Sequence, residues 1–557
     1  MVDNERWLLR RRFDESFLQL VPGLDPIAAR VLYARHLDSL PAIDRFLSPP
    51  LSLADPWLLP DLPKAVERIR AAIDGQEPIV VYGDFDADGM CAATLLTAAL
   101  ERCGAQVRAY IPDRFDEGYG LNSSALARLQ ADGASLVVTV DCGIRSSAEV
   151  ATAQAQGLDV IVTDHHSVPA TLPPALAVVD PKRPDSLYPF ADLAGTGVAF
   201  RLAQALLDDQ GDEFLDLVAV ATVADIVPLV GENRALVRAG LERLRSEPRP
   251  GLAALMRSAG IAPGTVTSAD IAFRLAPRLN AAGRLANARL GYTLLSSLSE
   301  DEAQAPAEQL EALNRQRQEM LDEQHRLAQD ALGEAADGLC LFVALKGLHQ
   351  GIVGLIASRL CEEHYRPTFV MTPTDAGLTG SARSIAGFHV THALEGCADL
   401  LERFGGHEAA AGFTVRTGAL PEFQARLLER AAETLGADDL VLSRRVDTIV
   451  DLQDLGLATP RALAQLGPFG EGNPEPLLAS QGLAVTQVAR MGREGRHLRL
   501  RVSGGAGAVK CVGWGLGDLA DRLTTASRID LLYTPEIDTY NGQEALQLNI
   551  VSLRLAQ

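Results

Sequence analysis

Several things are scarce in this sequence, and each scarcity narrows its function. Seven cysteines include no C-x-x-C pair, which argues against a disulfide frame and against a thiolate zinc site. Cys91, Cys103 and Cys142 sit in apolar or motif-bearing segments that suit reduced, packed thiols. No apolar run approaches the roughly 20 residues of a bilayer span, and the start, MVDNERWLLRRRFDESF, is too charged for a secretory leader. A cytoplasmic protein without membrane association is expected. Basic residues are outnumbered, 51 Lys and Arg against 72 Asp and Glu, for a net charge of −21. A surface of that sign does not coat nucleic acid, so such a partner would need a local basic groove. Aromatic residues make up 5% of the chain, which leaves little material for base stacking.

What is present is a long chain of alternating patterns. At 557 residues it has room for several domains, each able to bury a core. Residues 1–50 read as a helical cap ending at SPPLS. Across 51–245, the runs PIVVYGDFD, AQVRAYIPDR, ASLVVTVDCGI, LDVIVTDHH and LAVVDPKR are β-branched and apolar, and helical segments separate them. That alternation predicts a parallel sheet covered on both faces, with its polar residues gathered at the carboxyl ends of the strands. Residues 246–335 read as helical, closing with one long polar helix after Ser299. Its first turn is acidic, and its apolar stripe of Leu310, Leu313, Met320, Leu327 and Leu332 is narrow, as suits a strut. A second α/β unit follows over 336–442. Residues 443–557 hold five short strands with Gly-rich turns, which predict a small OB-like β-barrel.

The strand ends carry the chemistry. GDFDADG sets Asp84, Asp86 and Asp88 at alternate positions after a strand. Unpaired carboxylates so placed repel and raise one another's pKa, and a divalent cation removes the conflict. One such run alone also fits a solvated capping loop. Three further strand or helix ends add Asp141, the trio Asp164, His165 and His166, and Asp225. Acid and imidazole at four ends of one layer are hard to explain as packing. Carboxylates with imidazole and no thiolate suit Mn²⁺ or Mg²⁺. The set is large enough for two ions, about 3.5 to 4 Å apart if a carboxylate is shared, an arrangement that serves displacement at phosphorus.

The motifs DFDADG, VDCG, TDHH and ADIVPL together resemble those of the DHH phosphoesterase superfamily, and an aspartate in the place of Asp84, where many members have histidine, resembles the RecJ exonucleases. The resemblance runs from about residue 50 to the end, in the order DHH, long helix, DHHA1, barrel. It implies Asp84, Asp86, Asp88, Asp141, His165 and Asp225 as metal ligands, Asp141 bridging. It also implies His166 facing the scissile phosphate, Asp164 orienting the histidine pair, and Asp86, Asp141, His165 and His166 as the catalytic set. The activity it implies is removal of 5′-mononucleotides from the 5′ end of single-stranded DNA, in repair and recombination. Repair partners such as a helicase or a single-strand-binding protein are not readable from the residues.

Other stretches bear on the substrate. FGGHEAAAGF reads as a Gly-Gly turn opening an alanine-rich helix whose free N–H groups would receive an anion. By resemblance to DHHA1 domains, Gly405, Gly406 and His407 there, with Ser381 and Arg383 of GSARSIAGFHV, contact substrate. RLAPRLNAAGRLANA offers Arg278, Asn280 and Arg284, a plain helix connection or, by resemblance, the lining of the nucleic-acid path. In PDRFDEGYGLN, Arg114 is a candidate for the substrate, whereas Tyr119 and Asn122 equally shape the loop. A basic strip with Arg490, Arg493, Arg496, Arg499, Arg501 and Lys510 is either a solvated strand pair or a clamp for single-stranded DNA, with Trp514, Tyr533 and Tyr540 the aromatic candidates. Two rival functions remain: a phosphodiesterase of short oligoribonucleotides or cyclic dinucleotides, and an inactive DHH replication scaffold.

Overall fold

In the computed structural model, the described residues are 5–49, 51, 53–118, 120–262, 264–504, 507–540 and 542–556. The chain divides into two compact units, one of residues 51–436 with 470–472, the other of 1–50, 437–469 and 473–557.

The larger unit begins with a five-stranded, wholly parallel sheet. Its strands lie in the order Val107–Tyr110, Ile79–Tyr82, Leu136–Val140, Asp159–Thr163, Ala177–Val179. Alternation sorts side chains to two cores. Ile79 and Val81 pack with helices Leu62–Asp74, Ala87–Arg102 and Gly195–Leu207, while Val80 and Tyr82 face helices Ser123–Ala131 and Ser147–Ala155. A second sheet is mixed, in the order Leu401–Gly406, Ala410–Val415, Gly377–Arg383, Thr368–Thr374, Leu341–Ala344, with only the last pair parallel.

Between the sheets runs the helix Glu300–Leu332, capped by Ser299, whose hydroxyl accepts the Glu302 N–H at 3.3 Å. It packs against helices Ala276–Leu285 and Val353–His364. Its buried face differs from the expected stripe: Leu327 is exposed, while Asn314, Arg317 and His325 are buried beside Leu310 and Leu332.

The alanine-rich helix expected in FGGHEAAAGF does not form. That stretch is an antiparallel hairpin, in which Phe404, Gly405 and Gly406 pair with Phe413, Gly412 and Ala411. The helix propensity of three alanines is outweighed by pairing with Gly377–Arg383 on the hairpin's other side, and the anion seat at a helix start goes with the helix.

In the smaller unit, strands Leu478–Met491, His497–Ser503, Ala508–Gly513, Ala545–Leu555 and Arg528–Asp538 pair in that order, and the last returns to the first, closing a five-stranded barrel. A closed ring leaves no open edge. Residues 5–49 fold with this end of the chain. Strand Glu5–Leu9 pairs in parallel with Leu442–Val446, and Phe17, Val31 and Leu32 share a core with Leu483, Leu500 and Tyr533. Arg35 forks onto Asp447 with two bonds of 3.0 Å. Among the described residues no helix is long and apolar enough to cross a membrane.

Candidate metal centre and its approach

The strand order reverses direction between Ile79–Tyr82 and Leu136–Val140, and an open α/β sheet forms its crevice at such a point. Asp84 follows the first of these strands and Asp141 the second. Asp164, His165 and His166 follow Asp159–Thr163, and Asp225 caps the end of helix Leu215–Ala224. Three overlapping groups each bring their ligand atoms within 4.8 Å of one another: Asp84 with Asp86 and Asp141; Asp88 with His165 and Asp225; Asp141 with His165 and His166.

Local geometry explains how one short motif serves several ends. Asp86 is the N-cap of helix Ala87–Arg102 and accepts the Gly89 N–H at 3.0 Å. Asp88, one residue into the helix, accepts the Gly195 and Thr196 N–H groups at 2.7 and 2.8 Å, which ties the start of helix Gly195–Leu207 to the site. Gly195 has to be glycine, since a Cβ there would lie 2.6 Å from the Asp141 side chain. Asp141 itself sits in the left-handed region with φ 63°, and Ile226, next to Asp225, has φ 59°. Such strain persists where surrounding structure enforces it, commonly at functional sites.

The electrostatics fit a cation. Burial and then neighbouring carboxylates hold the Asp84 and Asp141 carboxyls well above their usual range, and Asp225 behaves likewise. Asp84 Oδ1, Asp141 Oδ1 and both ring nitrogens of His165 are buried with no hydrogen bond. His165 Nε2 nonetheless lies 3.1 Å from Asp141 Oδ1 and 3.6 Å from Asp225 Oδ2. Burial lowers the pKa of His165 to about 4, so its ring is neutral and offers a lone pair. Converging carboxylate oxygens and an imidazole lone pair without hydrogen-bond partners among the described residues are a ligand set. His166 is different. Burial alone would lower its pKa, but the 2.7 Å bond from Nδ1 to Asp164 and the charge of that carboxylate raise it to about 9.

The other expected residues divide. Asn280 Oδ1 accepts the Ala87 N–H at 2.8 Å and so braces the acidic loop. Arg278 is paired with Glu311 at 2.6 Å. Arg114 lies over the Phe85 ring at 5.0 Å, near Asp84 and Asp86. Arg284 donates to the Gly351 carbonyl at 3.2 Å, and Arg383 to the Ser358 and Ser381 hydroxyls at 3.0 and 2.8 Å. The His407 ring, at the tip of the hairpin, stacks on His166 with centroids 6.0 Å apart. Asn122 caps helix Ser123–Ala131, and Tyr119 lies outside the described residues. On the barrel, Arg499 and Arg501 point outward, Arg490 is bound to Asp521 at 2.5 Å, and Arg496 lies 3.5 Å from Glu494. Arg493 is exposed. Tyr533 is core, hydrogen-bonded to Ser480, whereas Trp514 and Tyr540 are exposed. Sequence reasoning missed the backbone of Gly195 and Thr196; the Gly-Thr-Gly opening of an apolar helix was its only trace.

A parallel sheet with acids at its switch point, a mixed-sheet partner and a closed barrel define the two-domain DHH class with an added OB fold. Three family models match in that order: the DHH family N-terminal domain over residues 78–222, the DHHA1 domain over 338–433 and the RecJ OB domain over 446–552. The single-stranded-DNA-specific exonuclease RecJ of Bacillus subtilis (strain 168) is 37% identical over 556 residues, 99% of this chain and 71% of that protein. A crystal structure of RecJ with Mn²⁺ from Thermus thermophilus superposes with a TM-score of 0.85 at 33% identity, covering 100% of this chain and 80% of that one. The same protein with Mg²⁺ gives 0.80 at 31%, covering 100% and 79%. The chain belongs to the RecJ family.

Proposed function

We propose that this protein is a cytoplasmic exonuclease that removes 5′-mononucleotides from the 5′ end of single-stranded DNA, with two Mn²⁺ or Mg²⁺ ions, in DNA repair and recombination. The observation that carries the reading is the convergence of buried oxygen and nitrogen atoms from Asp84, Asp141 and His165 that have no hydrogen-bond partner among the described residues. Asp84, Asp86, Asp88, Asp141, His165 and Asp225 would hold the ions; Asp88 also anchors helix Gly195–Leu207, and one lone pair of each of its oxygens is left for an ion after those backbone bonds. Bound there, the ions supply Lewis-acid activation of water and phosphate.

The chain's own residues do the rest. His166, kept protonated by Asp164, donates toward the phosphate being cut, and His407 closes over it from the hairpin. Ser381 and Arg383, with Arg114 and Arg284, seat the terminal 5′-phosphate at a fixed distance from the acids, so that each cut removes one nucleotide. Arg490, Arg493, Arg496 and Arg499 line the path of the strand on the barrel. The test is single-stranded DNA labelled at either end, with Mn²⁺, Mg²⁺ or chelator. Early release of the 5′ label as mononucleotide, abolished by chelator, is expected; early release of the 3′ label would overturn the polarity. Arg383→Ala should weaken binding of 5′-phosphoryl ends more than of 5′-hydroxyl ends.

A further inference from the structure

Asp86 and Asp88 are fixed by backbone N–H groups, but the Asp225 carboxylate accepts no hydrogen bond among the described residues. Its direction is therefore set by its own backbone, at the end of helix Leu215–Ala224, and by the turn that follows. In that turn Ile226 is left-handed, with φ 59°. A β-branched residue in that region is strained, and the strain persists only where other parts of the structure enforce it. The Ile226 side chain does not enforce it, being 70% exposed.

The turn is held at two points further on. The Pro228 carbonyl accepts from Asn233 Nδ2 at 3.0 Å, and Asn233 is fully buried. Leu229, also buried, donates its N–H to the Glu471 carbonyl at 2.7 Å. Glu471 comes from far along the chain. Residues 470–472 pack with the larger unit, although the residues on either side of them in sequence belong to the smaller one. The fit of these three residues is tight. A Cβ on Gly470 would lie 2.8 Å from Leu229 Cδ1; on Gly472, left-handed at φ 72°, it would lie 3.2 Å from Val230 Cγ1 and 3.3 Å from Pro228 Cβ. Close approach at both positions, and positive φ at the second, call for glycine. Asn473, which follows, is buried and donates from Nδ2 to the Leu466 and Pro468 carbonyls at 3.0 and 2.8 Å, so the loop that carries the three residues is stiffened at its base.

We propose that Gly470, Glu471 and Gly472 form a positioning strap for the metal centre: by holding Pro228, Leu229 and Val230 they keep the strained turn closed and the Asp225 carboxylate aimed at its ion. This rests on the reading of Asp225 as a metal ligand and adds what orients it. The strap acts through backbone and supplies no ligand of its own. Its effect should be confined to the ion that Asp225 shares with His165 and Asp88, and should spare the one bounded by Asp84, Asp86 and Asp141.

The readout is Mn²⁺ binding by titration calorimetry to the full chain, first stripped with chelator. Wild type should take up two ions. Gly472→Ala should bind one of them as wild type does and the other about tenfold more weakly or worse. Asp225→Asn serves as the reference and should weaken the same ion. Gly482→Ala is the matched control: Gly482 is also left-handed, at φ 63°, but a Cβ there meets nothing within 4 Å. It carries the backbone strain without the contact and should keep both sites. Gly470→Ala, whose backbone is not left-handed, should repeat the Gly472→Ala result, and it carries the test if Gly472→Ala does not fold. Two ions bound with wild-type affinity by Gly472→Ala and Gly470→Ala would overturn the proposal while Asp225→Asn still upholds the ligand. An equal loss in Gly482→Ala, or loss of both ions together, would assign the glycines a general role in stability and also overturn it. If Asp225→Asn itself keeps both ions at full affinity, the ligand reading of Asp225 falls and takes the strap with it.

Discussion

Replacing Asp141 by asparagine separates charge from shape at the heart of the acidic cluster. Asparagine has nearly the same volume and tolerates the left-handed backbone, φ 63°, that this position adopts. The variant should therefore fold, and its difference from wild type should report on charge. Asp141 lies within 4.8 Å of ligand atoms of Asp84 and Asp86. At an effective dielectric constant of ~20, two unit charges that far apart repel by about 3 to 4 kcal/mol. Protonation of the raised carboxyls relieves part of this in the metal-free protein, so a net gain of about 1 kcal/mol, or about 1 to 2 °C for a unit of this size, is expected for Asp141→Asn in chelator. Manganese reverses the order. At a hundredfold excess over its dissociation constant a bound ion stabilises wild type by about 2.7 kcal/mol, and the variant should lose most of that increment together with turnover. Thermal unfolding of both proteins, with EDTA and with Mn²⁺, reads all four states. A variant less stable than wild type in EDTA that gains as much from manganese would refute the reasoning.

Gly195→Ala places a methyl 2.6 Å from the Asp141 side chain; it should cost about 1 to 3 kcal/mol of stability and, by displacing a ligand, about a hundredfold in turnover, and steady-state rates near wild type would contradict this. Asp180, at the end of strand Ala177–Val179, has one oxygen on the Lys182 N–H and the other without a partner, and burial raises its pKa to about 7. A pKa raised on folding stabilises below the unfolded value and is lost as pH climbs through the folded one. Wild type should therefore lose stability as pH rises from about 4 to about 7 and level off above it, and Asp180→Asn should flatten that decline in a denaturant series. On the barrel, Arg499→Gln with Arg501→Gln should reduce the slope of log affinity for single-stranded DNA against log salt by about 1.4, two phosphate contacts' worth; an unchanged slope would remove these arginines from the DNA path.

How much of this was legible beforehand depends on the range of the interaction. The strand-end acids are legible because β-branched runs with polar ends announce both the strand and its tip, and the parallel sheet then brings the tips of Ile79–Tyr82, Leu136–Val140 and Asp159–Thr163 to one side. The Ala409–Ala411 stretch misleads because alanine carries no periodicity, and its partners, near Gly380–Arg383, lie about thirty positions earlier. The tie from Asp88 to Gly195 spans 107 positions and that from Arg35 to Asp447 spans 412, which no local pattern reveals. Arg317 reads as one more solvated arginine on a polar helix until the helix against Arg284 is seen to bury it.

Anomalous diffraction at the manganese edge, from crystals of this protein grown with Mn²⁺, tests the central claim most directly. Two peaks are expected, one bounded by Asp84, Asp86 and Asp141 and the other by Asp141, His165 and Asp225. No peak among these residues, with their oxygens turned to solvent or paired to Lys182 instead, would contradict the account.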